Sequence, residues 1–157
     1  MNREEAEAGA GRRRRRHSRT VEIVGLDHVQ LAMPPGEEAL ARWFYGGVLG
    51  LQEVRKVRAL AGRGGAWFVG PGLALHLGVE EPFRPAMKAH PAFGVENLER
   101  ARRRLEQRGV AVLEDDARTG IRRLWVADPF GNRIELIDAR DGGFTERRRR
   151  RPVDPDT

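Results

Sequence analysis

Three of the four histidines, His28, His76 and His90, and the carboxylate Glu135 each lie in a short apolar segment punctuated by Gly or Pro. Segments of this kind are typical of β-strands. Because side chains alternate between the two faces of a strand, each segment has one apolar face and one face that carries a histidine or a glutamate. Imidazole and carboxylate are common ligands of divalent ions, so the four residues indicate a metal site.

The spacing of these four residues is regular. His28 and His76 are 48 residues apart, His90 and Glu135 are 45 apart, and the first members of the two pairs are 62 apart. Any one of the histidines, taken alone, is better explained as a hydrogen-bonded strand residue. Four matching positions instead indicate one supersecondary unit that has been duplicated.

Both halves of the chain predict the same order of one strand, one helix and three strands. In the first half the helix runs from Glu37 to Tyr45, with Leu40, Trp43 and Phe44 on one face. In the second half Asn97 is the predicted N-cap of a helix that runs to Arg108. The predicted strands are 27–31, 51–57, 66–69, 73–79, 90–95, 110–113, 121–126 and 132–137. The modules, 24–80 and 88–138, make one α+β domain over residues 21–140.

Positive charge is concentrated at the two ends of the chain. Residues 1–20 hold seven Arg and three Glu, and residues 141–157 hold five Arg and four acidic residues. The arginine runs 12–16 and 147–151 lack apolar neighbours, so we expect disordered tails over 1–20 and 141–157. Nucleic-acid binding is the alternative role for these arginines, but no interleaved aromatic residues support it, and we do not expect nucleic acid as a partner.

Several classes of protein are disfavoured by composition. The chain has no cysteine, which excludes disulfides, thiolate ligands and a cysteine nucleophile, so a metal site must use nitrogen and oxygen. No apolar stretch is long enough to span a membrane, and no secretion signal is recognisable. We therefore expect a cytoplasmic protein that does not bind membranes.

Three motifs resemble the vicinal oxygen chelate superfamily, which includes glyoxalase I, extradiol dioxygenases and bleomycin-binding proteins. They are Leu26-Asp27-His28-Val29, the helix exit from Trp43-Phe44-Tyr45 to Leu49-Gly50-Leu51, and the run Asp128-Pro129-Phe130-Gly131-Asn132-Arg133-Ile134-Glu135-Leu136. The resemblance covers residues 24–138. It implies two βαβββ modules whose curved mixed sheet surrounds a metal-binding cleft, with ligands from the first and last strands of each module.

By position, the resemblance implies a divalent ion held by His28, His76, His90 and Glu135, with Fe²⁺, Zn²⁺, Ni²⁺ and Mn²⁺ all open. His76 departs from the glyoxalase I and epimerase patterns, which place a glutamate or glutamine there. It is either a fourth ligand or a donor to bound substrate. Without it, the remaining three residues resemble the two-histidine, one-carboxylate set that holds Fe(II) in dioxygenases.

Other residues are candidates for the substrate pocket. Gln30, Tyr45, Trp67 and Trp125 are predicted to line it, although strand aromatics are often plain core. Arg55, Arg122 and Arg123 could hold a substrate carboxylate or phosphate, but they are better explained as solvated surface residues. Glu53 is a weak candidate for a base. Glu135 is the catalytic candidate, because this glutamate can leave the metal in the superfamily and act as a base.

Three functions follow from the resemblance. The leading hypothesis is a metal-dependent lyase or isomerase of glyoxalase type that chelates two adjacent oxygens of a small-molecule substrate. The alternatives are an extradiol-type dioxygenase and a drug-binding protein without catalysis. In many relatives each metal site takes ligands from two subunits, so we also expect a homodimer.

Overall fold

Two four-stranded sheets make up the protein, one from each module. The computed structural model describes residues 20–114 and 122–140, and the predicted tails lie outside these residues except for Thr20. The first module comprises β1 (Val29–Met33), α1 (Glu38–Ala41), a π-helical segment (Arg42–Val48), β2 (Gln52–Val54), a 3₁₀ turn (Arg58–Arg63), β3 (Ala66–Gly70) and β4 (Leu73–Val79). The second comprises β5 (Ala92–Val95), α2 (Leu98–Gln107), β6 (Val112–Glu114), β7 (Arg123–Ala127) and β8 (Arg133–Asp138).

The two sheets have the same topology. Their strand orders are β1-β4-β3-β2 and β5-β8-β7-β6, with the first strand of each module parallel to the last and the other pairs antiparallel. Both sheets are open. The predicted α+β fold of two βαβββ modules is confirmed, and the repeat of strand order and direction explains why the candidate ligands recur at similar spacing.

His28 and His90 lie just before β1 and β5, although the sequence predicted both residues within strands. The parallel ladder of β1 begins at the Val29–Leu75 pair, one residue after His28. β5 begins at Ala92, because the preceding Pro91 has no amide hydrogen to donate to a ladder. The Pro91 carbonyl still accepts from the Glu135 amide at 3.0 Å, so His90 stays beside β8.

The first helix buries a different face from the predicted one. Leu40 and Trp43 are 43% and 41% exposed, and the core side carries Ala41, Phe44, Tyr45 and Val48. The helix widens into π geometry, in which the Leu49 amide donates to the Phe44 carbonyl five residues back at 2.8 Å. Tyr45 is completely buried. It lies in the core and not, as predicted, on a pocket wall.

The second helix follows its prediction closely. The Asn97 side chain accepts a hydrogen bond from the Arg100 amide at 2.8 Å, which satisfies one of the free amides of the first turn. Leu98 and Leu105 are buried against the sheet. No helix in the described ranges has both the length and the apolar character needed to cross a membrane.

A buried carboxylate joins the two modules. Asp128 Oδ2 accepts from the Tyr45 hydroxyl at 2.7 Å and from Asn132 Nδ2 at 2.8 Å, and Oδ1 accepts from the amides of Phe130 and Asn132. Asn132 Nδ2 also donates to the Ala32 carbonyl of β1 at 2.8 Å. Burial and the charge of Asp128 raise the pKa of Tyr45, so its hydroxyl remains a donor. We call these contacts the Asp128 network.

Asp138, at the end of β8, should make the free energy of unfolding depend on pH. Its buried carboxylate accepts from the guanidiniums of Arg140 and Arg122, each at 2.7 Å. The Arg140 side chain, helped by its own amide and by Arg122, holds the pKa of Asp138 well below its usual range. Since the unfolded carboxyl titrates near pH ~3.9, this stabilisation is present above that pH and is lost as pH falls through the lower folded pKa.

Asp138→Asn should therefore lower the free energy of unfolding by about 1–3 kcal/mol at pH 7, and the deficit should shrink below about pH 4. Urea denaturation from pH 7 to pH 3 measures both. Glu96→Gln is the control, because Glu96 is exposed and makes no ion pair within the described part of the chain. A deficit for Asp138→Asn that stays constant across this range would contradict the argument.

Candidate metal centre

His28, His76 and Trp67 form a stack on one face of the first sheet. Trp67 of β3 is the register partner of His76 on β4, and their rings lie 4.0 Å apart at 6°. The ring of His28 covers the other face of His76 at 4.1 Å and 24°. Gln30 is paired with His76 from the β1 side, and its amide covers Gly78. We call His28, His76 and Trp67 the first half-site.

The ring of His28 is oriented by Asp27. Its Nδ1 lies 2.6 Å from Asp27 Oδ1. Because an ionised carboxylate only accepts, Nδ1 carries the proton and Nε2 keeps its lone pair, as in carboxylate–histidine–metal arrangements. This hydrogen bond also lowers the pKa of Asp27. Burial, and then the proximity of His28, lower the pKa of His76, which favours the neutral imidazole that a metal ion requires.

The stacked rings determine which imidazole can bind a metal ion. The lone pair of an imidazole nitrogen lies in the ring plane, so two rings stacked 4.1 Å apart and inclined at 24° keep their lone pairs in separate, nearly parallel planes. They do not converge on one ion in this arrangement. His76 is held between two rings, whereas His28 is 39% exposed on its outer side. His28 is therefore the more accessible ligand of the pair.

His90, Glu135 and Trp125 form the second half-site at the equivalent positions of the second sheet. His90 Nε2 lies 3.1 Å from Glu135 Oε2, and the rings of His90 and Trp125 pack at 79° with their centroids 4.8 Å apart. Trp125 is the register partner of Glu135, as Trp67 is of His76. His90 Nδ1 donates to the Lys88 carbonyl at 2.8 Å, so this histidine too has one nitrogen fixed and one directed at the site.

Sequence reasoning did not find the contacts of three residues at the half-sites, and it favoured a solvated surface position for one of them, Arg123. Asp27 was quoted only as part of a motif, yet it orients His28. Arg123 Nη1 lies 3.2 Å from Glu135 Oε1, and the guanidinium of Arg133 lies 3.6 Å above the ring of Trp125. The signal for Arg123 was the two-residue alternation of β7, which puts it on the same face as Trp125.

The nitrogen and oxygen donors suit a divalent ion, but within one chain the candidate ligands lie in two separate pairs. Nitrogen and oxygen atoms about 2.1 Å from one ion in neighbouring positions are about 3 Å apart, which matches the separation of His90 and Glu135. Across residues 20–114 and 122–140, however, no group of three or more His, Cys, Asp or Glu side chains is close enough to hold a metal. Of the four predicted pocket residues, Gln30, Trp67 and Trp125 lie at the half-sites and Tyr45 does not.

Comparisons with known proteins identify the family. The model of the Glyoxalase/Bleomycin resistance protein/Dioxygenase superfamily matches residues 25–136. A solved structure named for the glyoxalase family, from Bacillus anthracis, is 44% identical, with a TM-score of 0.72 over 76% of this chain and 98% of that one.

More distant structures share the fold. The fosfomycin resistance protein FosX from Listeria monocytogenes is 17% identical, with a TM-score of 0.62 over 78% of this chain and 99% of its own. A superfamily member from Sphaerobacter thermophilus is 23% identical, with a TM-score of 0.60 over 74% and 98% of the two chains. No curated protein matches. The family match spans most of the chain and both half-sites, and the chain therefore belongs to the Glyoxalase/Bleomycin resistance protein/Dioxygenase superfamily.

Proposed function

We propose that this protein is a divalent-metal-dependent enzyme of glyoxalase-like lyase or isomerase type that acts on a small molecule. The observation that carries the proposal is the equivalence of the two half-sites. Each has a histidine whose Nδ1 is held by an oxygen acceptor, so Nε2 is the nitrogen that would bind an ion. In the second half-site this Nε2 already lies 3.1 Å from Glu135 Oε2, the other candidate ligand. An ion bound there would polarise two adjacent substrate oxygens and stabilise an enolate or oxyanion.

The complete site forms between two copies of the chain in this proposal. Because each half-site offers only two candidate ligands, the first half-site of one copy meets the second half-site of another. A second observation supports an interface next to His28. Four apolar side chains that precede it are between 81% and 100% exposed: Val21, Ile23, Val24 and Leu26. An exposed apolar run of this kind is characteristic of an association surface.

Glu135 is the proposed catalytic base. Its side chain is 9% exposed, and Arg123 holds Oε1. Oε2, which lies 3.1 Å from His90 Nε2, would hold the ion and, once released from it, would take the proton from the substrate. The indole rings of Trp67 and Trp125 flank the two pairs of ligands and would exclude water from a substrate between them. The exposed amide of Gln30 is placed to donate a hydrogen bond to a substrate oxygen.

The ring stack supports a second candidate function. If His76 stays between His28 and Trp67, the ligands are His28, His90 and Glu135, which is the set that holds Fe(II) in oxygen-activating enzymes. The chain would then be an extradiol-type dioxygenase. The identity of the bound metal separates this function from the first, because iron favours oxygen chemistry and zinc, nickel or manganese favours proton transfer.

Metal content tests the proposal. Protein purified anaerobically without chelator should hold about one ion per chain by elemental mass spectrometry, and His28→Ala, His90→Ala and Glu135→Ala should each lose most of it. His17→Ala is the matched control, since it removes the one histidine outside the predicted set. Retention of metal by His76→Ala would select the three-ligand site. Absence of metal after reconstitution, or equal metal in all variants, would contradict the proposal.

A further inference from the structure

An open cavity of about 770 Å³ lies beside the first half-site. It lies where the short strand β2 ends at Val54, opposite Trp67, and where β3 begins at Ala66 just after Gly65. Trp67 belongs to both places, because it lines the cavity and also stacks on His76 at 4.0 Å. A molecule in the cavity would therefore touch the residue that supports a candidate metal ligand.

The cavity wall is strongly cationic. Arg42, Arg55, Lys56 and Arg58 line it, and Glu53 is the one acidic lining residue. Both oxygens of Glu53 are already engaged by Arg42 Nε, at 2.9 and 3.0 Å. The other three cations have no carboxylate partner within the described part of the chain. Lys56 donates to the neutral carbonyl of Gly64.

The net charge around the cavity stays positive when the nearby carboxylate of Glu38 is counted as well. Glu38 accepts the Gly65 amide at 2.8 Å, and this bond, with smaller effects of Arg42 and Lys56, lowers its pKa. Four cations against two carboxylates leave an excess of two positive charges around the cavity. Arg55 and Arg58 are exposed and have their guanidinium donors available. Guanidinium donors match the geometry of carboxylate and phosphate oxygens.

We propose that this cavity binds the carboxylate or phosphate group of a small organic anion, with Arg55 and Arg58 as its principal donors and Trp67 against its apolar part. That this anion is the substrate rests on the proposed function. The binding of the anion is independent of that function, because none of the cavity cations is a candidate metal ligand.

Calorimetric titration of metal-free full-length protein at low salt tests the proposal. The probes are phenyl phosphate and benzoate, with benzyl alcohol as the uncharged analogue. At least one anion should bind, benzyl alcohol should not, and the tighter anion identifies the preferred group. Arg55→Ala/Arg58→Ala should weaken binding about tenfold or more. Arg84→Ala/Lys88→Ala removes the same charge from two exposed positions that do not line the cavity, and it should change binding less than about twofold.

Amide-resolved NMR locates the bound anion. The indole N–H signal of Trp67, assigned through Trp67→Phe, should shift on titration, whereas that of Trp43 should not. Equal weakening by the two double variants, binding of benzyl alcohol as tight as that of the anions, or no binding of either anion would overturn the proposal. Anion binding to a protein that never takes up metal would uphold this site and refute the proposed enzyme. Metal uptake without anion binding would refute this site and leave the proposed enzyme supported.

Discussion

Mixing the His28→Ala and Glu135→Ala variants should restore about one quarter of the wild-type metal content, although each variant alone retains almost none. In a dimer with shared sites, a mixed pair places both substitutions in one site and leaves the other site intact. Random exchange makes about half of the dimers mixed, and each mixed dimer has one intact site of two. Elemental mass spectrometry after co-refolding, or on a doubly tagged and co-purified pair, measures the recovery.

The matched control for this experiment is a mixture of His90→Ala and Glu135→Ala. Both substitutions fall in the second half-site, so every site in every dimer lacks a ligand and no metal should return. Recovery in the first mixture alone can arise only if the two half-sites belong to different chains. No recovery in either mixture, with dimers verified by light scattering, would refute shared sites.

Asp128→Ala should destabilise the fold by about 3–5 kcal/mol, the largest effect on stability that we expect in this chain. The substitution leaves the Tyr45 hydroxyl and two backbone amides without their acceptor in a buried region, and the Asn132 side-chain amide keeps only the Ala32 carbonyl. Tyr45→Phe removes one donor from the same carboxylate and should cost about 1–3 kcal/mol.

Urea denaturation followed by far-ultraviolet circular dichroism measures both losses. Asp27→Ala is the control, because Asp27 is 95% exposed and its removal should change the free energy of unfolding by less than about 0.5 kcal/mol. A cost below about 1 kcal/mol for Asp128→Ala would mean that water or a rearranged loop replaces the lost acceptor.

The fold was predictable because local periodicity and the duplication agree. The run 73–79 was predicted as a strand with the limits that β4 has, and Asn97 was predicted as the cap that it forms. The helix face was less predictable. Leu40, Trp43 and Phe44 form one apolar stripe, and Ala41, Phe44, Tyr45 and Val48 form another, so pattern alone could not decide which is buried.

The candidate site was predictable in its residue types and not in its contacts. Alternation along the strands put His76, Glu135, Trp67 and Trp125 on the faces where they lie. The contact of Arg123 with Glu135 depends on the register between β7 and β8, and the stack of His28 on His76 depends on ring rotation. Neither is encoded in the local pattern of apolar residues.

The Asp128 network has a consequence for how two copies would come together. Its hydrogen bonds run from the second module to Tyr45 and to the Ala32 carbonyl in the first, so the two modules of one chain cannot separate without breaking buried contacts. In the proposed dimer, association should therefore proceed as docking of preformed surfaces and not as an exchange of modules through an opened linker. The rate of dimer formation should then follow a simple second-order law, without a slow unimolecular step of the kind that unfolding would impose.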